Sequence, residues 1–167
     1  MAAKIVELGF RDRRLLEEAQ GWLGLGNHVE ANEALEQITQ LLRGHPDVLR
    51  VRYNIYAAAK KWEAAAHIAE AIAKLVPDDS FGFIHAAYAL HELKRTREAM
   101  NILLPVAHRF PDEWLIAYNL ACYHCQTGDL KSAGEWLAKA YEIGNANNIK
   151  AMATRDPDLA PLFESTK

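Results

Sequence analysis

Cysteine is scarce in this chain: 167 residues contain two, Cys122 and Cys125, in the stretch LACYHCQTGD. One Cys-x-x-Cys supplies half of the four ligands a structural zinc ion wants, and no second pair exists to complete the set. An excess of one charge is also missing. Lys and Arg number 19 against 22 Asp and Glu, a net charge of −3, so there is no electrostatic case for nucleic-acid binding. No apolar run approaches the roughly 18–20 residues that cross a bilayer, and no membrane partner is expected. The opening MAAKIVELGFRDRR has no basic-then-apolar signal pattern. Few cysteines without a secretory signal predict reduced thiols and a cytoplasmic location. Glycine-rich phosphate loops and serine elbows are absent, and HELKR (91–95) lacks the second histidine of a zinc-protease motif. The adjacent carboxylates Glu17 and Glu18, or Asp78 and Asp79, read as solvated or helix-capping groups. No catalytic set, cofactor or metal is expected, and the chain reads as a non-enzyme.

What is present is a packed-core composition, 50% hydrophobic and 25% charged, and a repeat. Shifting the sequence by 34 residues aligns Ala31, Ala65, Ala99 and Ala133. Four residues on come Leu35, Ala69, Leu103 and Leu137, and three more bring Ile38, Ile72, Val106 and Ala140. Offsets of four and seven mark one face of a helix. Upstream, Ala19, Tyr53, Ala87 and Ala121 share a register, as do Trp22, Tyr56, Leu90 and His124. Each unit therefore predicts two amphipathic helices joined by a short turn. Gly26 and Gly128 sit in two of those turns, Lys60 and Lys94 in the others. Between units, HPDV (45–48), VPDDS (76–80) and FPDEW (110–114) place proline beside an acidic residue, which ends one helix and favours the start of the next.

A helix–turn–helix period of 34 residues resembles the tetratricopeptide repeat. The closest match is the fourth unit, WLIAYNLACYHCQTGDLKSAGEWLAKAYEIG, and the resemblance covers about residues 12–145. It implies an all-α, right-handed superhelical solenoid of about four helical hairpins (12–45, 46–79, 80–113 and 114–145) in a single domain, 1–167. A C-terminal cap follows at 146–167. In the cap, Ile149, Met152 and Ala153 predict one apolar face, Asp156 and Pro157 a helix start, and Leu159, Leu162 and Phe163 a cover for the last repeat. Similar endings occur in short bacterial proteins of this family. The N-terminal AKIVELGF can extend the first helix, cover its face, or pair with a second subunit.

In such proteins the first helices line a concave groove that holds an extended peptide or a partner helix. Carried over by position, the groove residues here are Arg50, Asn54, Phe81, Ile84, His85, Tyr88, His91, Tyr118, Asn119 and Cys122. Arg50 and Asn54 match the first pair of a subgroup that clamps a peptide carboxylate; His85, Leu115 and Asn119 do not continue it. The second half of the groove reads as apolar and aromatic, suiting an amphipathic or hydrophobic segment with Tyr88 and Tyr118 as anchors. Cys122 and Cys125 share a face in the later half of their helix, away from the N-terminal dipole that activates redox thiols. His91 is placed to approach Cys125 as a third ligand, but the pair reads as small residues at the groove. The function implied is a non-enzymatic scaffold or adaptor binding a protein or peptide. Two other readings are a small chaperone shielding an apolar client and a homodimer held by the N-terminal segment.

Overall fold

A computed structural model describes residues 6–164. All regular structure among them is helical: α1 Phe10–Gly24, α2 His28–Glu36, α3 Pro46–Ala58, α4 Trp62–Leu75, α5 Phe81–Glu92, α6 Thr96–Leu103, α7 Trp114–Gln126, α8 Leu130–Ile143, α9 Ala146–Ala153 and α10 Ala160–Glu164, with three short 3-10 turns. The chain divides into two compact units, Met1–Gly82 and Phe83–Lys167, with the boundary inside α5.

The 34-residue period is visible in the backbone. The second helix of each hairpin begins at residue 28, 62, 96 or 130. Two residues before each start, the chain turns left-handed: Gly26 at φ 77°, Lys60 at 54°, Lys94 at 64° and Gly128 at 88°. The next amide then reaches back to the same carbonyl position in all four hairpins. Asn27 N–H donates to the Trp22 carbonyl, Lys61 to Tyr56, Arg95 to Leu90 and Asp129 to His124, at 2.8–3.0 Å. This six-to-one bond satisfies a helix-end carbonyl and fixes the direction of the following helix.

The four turns differ in quality. Asn27 and Asp129 also cap the next helix, accepting from the amides of Glu30 at 3.2 Å and Ser132 at 3.1 Å. The middle turns pair a strained lysine with Lys61 or Arg95, neither of which makes a side-chain cap. A non-glycine residue in the left-handed region costs about 1–2 kcal/mol, part of which glycine returns as unfolded-chain entropy. Lys60→Gly is therefore expected to stabilise the protein by about 1 kcal/mol and raise its melting temperature by about 2–4 °C. Thermal unfolding followed by circular dichroism checks this, and a lowered temperature would contradict the turn geometry.

The small residues that set the register are in the core. Ala31, Ala65, Ala99 and Ala133 are fully buried, as are Leu35, Ala69, Leu103, Ile38, Ile72 and Ala140. Tyr53 is buried where the other units have alanine; its ring packs edge-on to Phe81 at 5.9 Å. In two hairpins the second helix is shorter than the offsets of four and seven predict, leaving Ile38 and Val106 beyond the helix ends. The reasons differ. The buried Asp12 carboxylate accepts the Thr39 amide at 2.8 Å and the Thr39 hydroxyl at 3.1 Å, taking the donor that a continuing helix would give to Leu35. Pro105 ends the other, because it has no N–H to donate.

Residues 6–9 do not extend α1. Of these only Leu8 packs inward: it is buried in the core of the first unit, and Arg13 Nη2 donates to the Leu8 carbonyl at 3.2 Å. The earlier part of AKIVELGF lies outside the described residues. In the cap, Ile149 and Ala153 are buried, but Met152 is 39% exposed, correcting its place on the expected apolar face. One turn of α9 carries only those two positions inward, and Met152 lies beside them.

Candidate functional site

The ten expected groove residues fall in two sets. In the first unit, Arg50 is already engaged. Its Nη2 bonds Asp79 Oδ2 at 2.8 Å, and its guanidinium lies 4.7 Å from the Phe81 ring centre. Asp79 in turn caps α5, accepting from the Phe81 amide at 2.8 Å. Burial opposes ionisation of Asp79, but the Phe81 amide and Arg50 together hold its carboxyl below the usual range. Arg50 is thus a helix-cap partner here, and its match to a carboxylate clamp is offset by an internal carboxylate. Asn54, four residues on, is exposed.

In the second unit, Ile84 is buried in the core, His85 is half-buried and Tyr88 is 40% exposed. His91, Tyr118, Asn119 and Cys122 are buried. What buries three of them is the chain's own C-terminal segment. Tyr118 Oη donates to Asp156 Oδ2 at 2.7 Å, and Cys122 Sγ approaches the same oxygen at 3.8 Å. His91 Nε2 meets Asp158 Oδ2 at 2.8 Å while its Nδ1 meets Thr96 Oγ1 at 2.9 Å. The His91 ring also lies tilted on Tyr123, centroids 4.9 Å apart. Gln126 Nε2 donates to the Asp158 carbonyl at 2.9 Å. Asp156 caps the 3-10 turn Pro157–Leu159 by accepting from the Asp158 amide at 3.0 Å, as its place before proline predicts. Leu159 is fully buried beneath that turn.

This arrangement corrects the expectation of an apolar and aromatic half-groove. Its tyrosine, cysteine, histidine and glutamine act through their polar atoms, and they meet carboxylates. It also corrects the approach of His91 to Cys125, because both ring nitrogens of His91 are taken by other partners. Among the described residues no three His, Cys, Asp or Glu side chains are grouped to hold a metal.

The thiols are free and buried. Burial pushes the Cys122 thiol well above its ordinary range, and the Asp156 and Asp158 carboxylates push it further. Cys125 is also raised, by burial, with the Leu162 backbone bond opposing and Asp158 adding. Burial likewise raises the Tyr118 phenol, reinforced by its bond to Asp156. These are conditions for inert thiols rather than nucleophiles. They also set a direction for stability. Thiols in the unfolded chain ionise near about pH 8.5, where the folded protein keeps its protons. The unfolded state then binds fewer protons, so stability is intact below that pH and falls as pH rises through and above it. Urea midpoints at pH 7 and pH 9.5 check the expectation; an unchanged midpoint would contradict it. Labelling of the cysteines by a thiol reagent should be slow until urea unfolds the chain.

A scan against family models finds no match, and a search of curated proteins finds none. Solved structures do match. "MamA 41-end from Desulfovibrio magneticus RS-1" is 18% identical over 95% of this chain and 92% of that one, with a TM-score of 0.72. "MamA RS-1 ArsTM double mutant" aligns over the same shares at 18% identity and a TM-score of 0.71. The likeness is one of fold: the chain has a tetratricopeptide-like, all-α fold of repeated helical hairpins.

Proposed function

We propose that the protein is a non-enzymatic interaction module that holds a segment of a partner protein against α5 and α7, the first helices of its last two hairpins. One observation carries the reading. Side chains of α5 and α7 already grip a length of polypeptide, through His91, Tyr118, Cys122 and Gln126 on Asp156 and Asp158. A surface that binds by side-chain donors, and is preformed by helix packing, loses little entropy when it accepts a chain. Burial keeps the Cys122 and Cys125 thiols protonated, which favours binding over thiol chemistry at this stripe. The chaperone reading needs a free apolar face, whereas α7 presents hydroxyl, thiol and amide groups to the bound segment.

The experiment is affinity capture from the source cell's lysate with wild type and Tyr88→Glu side by side, the fold checked by circular dichroism. Tyr88 is used because it is the most exposed groove aromatic, and a charge there spares the core. A protein held by wild type and lost from the variant supports the reading; one held equally by both moves the site elsewhere.

A self-associating protein is the second reading, favoured by Phe10 at 80% and Val6 at 67% exposure near the start of α1. It predicts a concentration-dependent mass in sedimentation that Phe10→Glu abolishes.

A further inference from the structure

Tyr118, Cys122 and Gln126 stand four residues apart on α7, which makes them one stripe of that helix. His91 joins the stripe from α5. Together they direct four side-chain groups at one short stretch, Asp156 to Leu159. Two acceptors are carboxylates two residues apart in sequence, and the third is the carbonyl between the second carboxylate and Leu159. The stripe therefore matches acid at two positions, and the leucine that follows is buried in the core of the same unit.

Covering the end of a repeat array needs none of this. Apolar residues would cover α7 without setting two half-buried carboxylates against a phenol, a thiol and an imidazole. Polar contacts at such a place cost stability relative to an apolar cover and give selectivity in return.

We propose that the α5–α7 stripe is a receiver for acidic segments of the form Asp-x-Asp-Leu, and that the chain's own Asp156–Leu159 occupies it until a partner segment of that chemistry displaces it. This rests on the interaction-module reading above and adds to it the class of partner and an internal competitor.

The test uses the full chain and a fluorescent peptide with the sequence of residues 154–164. Three proteins are compared: wild type, Asp156→Ala/Asp158→Ala, which loosens the resident segment, and the loosened chain with His91→Ala added. Circular dichroism follows the fold, and hydrogen exchange follows residues 157–163. The loosened chain should bind the peptide at least tenfold more tightly than wild type. Adding His91→Ala should reverse most of the gain. A peptide with alanine at both aspartate positions should bind at least tenfold more weakly. Should the double variant not fold, Leu159→Ala loosens the segment by a different route. Equal binding to wild type and to a chain whose segment has opened would overturn the proposal. So would unchanged exchange in the double variant, since the carboxylates would then hold nothing. Dimerisation of the loosened chain with exclusion of the peptide would also overturn it, in favour of exchange between copies. A lysate partner lost with Tyr88→Glu that ignores the peptide would sink this inference and leave the interaction module standing. Peptide exchange with no partner captured by the loosened chain would leave the stripe a seat for its own segment alone and overturn the claim that a partner displaces it.

Discussion

Gly82→Ala is expected to lower stability by about 3 kcal/mol, the upper end of ordinary overpacking, although it adds a single methyl group. A Cβ on Gly82 would stand 2.6 Å from the Ala73 Cα, and closer still to the Ala73 amide nitrogen. Flexible side chains yield to such intrusions by changing rotamer. Here the obstacle is the backbone of α4, so the start of α5 must move away from it. Ala73→Gly removes only the Ala73 Cβ, which the new methyl would meet at 2.8 Å, and should rescue little of the loss. Urea denaturation of the two single variants and the double variant measures both effects. Gly21→Ala is the control. It lies within α1 with nothing within 4 Å of an added Cβ, so helix propensity alone should stabilise that variant by about 0.5–1 kcal/mol. A Gly82→Ala protein as stable as wild type would mean that α4 and α5 are not in backbone contact at this point.

How much of this the sequence revealed depends on whether a feature recurs. Ala31, Ala65, Ala99 and Ala133 recur, and their burial follows from the period. The hairpin turns recur as well, though the two lysine turns show that the left-handed residue is set by the fold even where the side chain disfavours it. Helix ends set by single events were not legible. Asp12 reaches Thr39 across 27 residues, and nothing in the repeat marks Asp12 as different from any other acid on α1. The site was partly legible. Periodicity placed His91, Tyr118 and Cys122 on first helices, but periodicity gives a face and not what covers it. Asp158 lies 67 residues from His91 and Asp156 lies 38 from Tyr118, and both acids stand outside the repeat, where there is no register to extrapolate. Asp156 and Pro157 were readable as the start of a turn because that signal is local.

Leu159→Ala should separate a permanent cap from a displaceable one. Leu159 is the fully buried residue of the segment that occupies the receiver, and its 3-10 turn packs on α7. Leucine-to-alanine changes in cores cost about 2–5 kcal/mol, least where the site can relax. A short segment held by Leu159, by the half-buried Leu162 and Phe163 and by a few side-chain bonds can relax around the lost leucine, so about 2 kcal/mol is expected. If the segment opens as a local unit, that cost falls on its opening equilibrium, and about 2 kcal/mol raises the open fraction about 30-fold. Apparent affinity for a ligand of the open state rises in proportion to that fraction while the fraction is small. Leu159→Ala should thus exchange the amides of residues 158–160, 162 and 163 about 30-fold faster and bind the leucine-bearing peptide of residues 154–164 about 30-fold more tightly. The two factors should agree, because one equilibrium sets both. A fall in the global unfolding midpoint with no gain in peptide affinity would mean that the segment melts only with the whole unit, and that the receiver is never free for a partner.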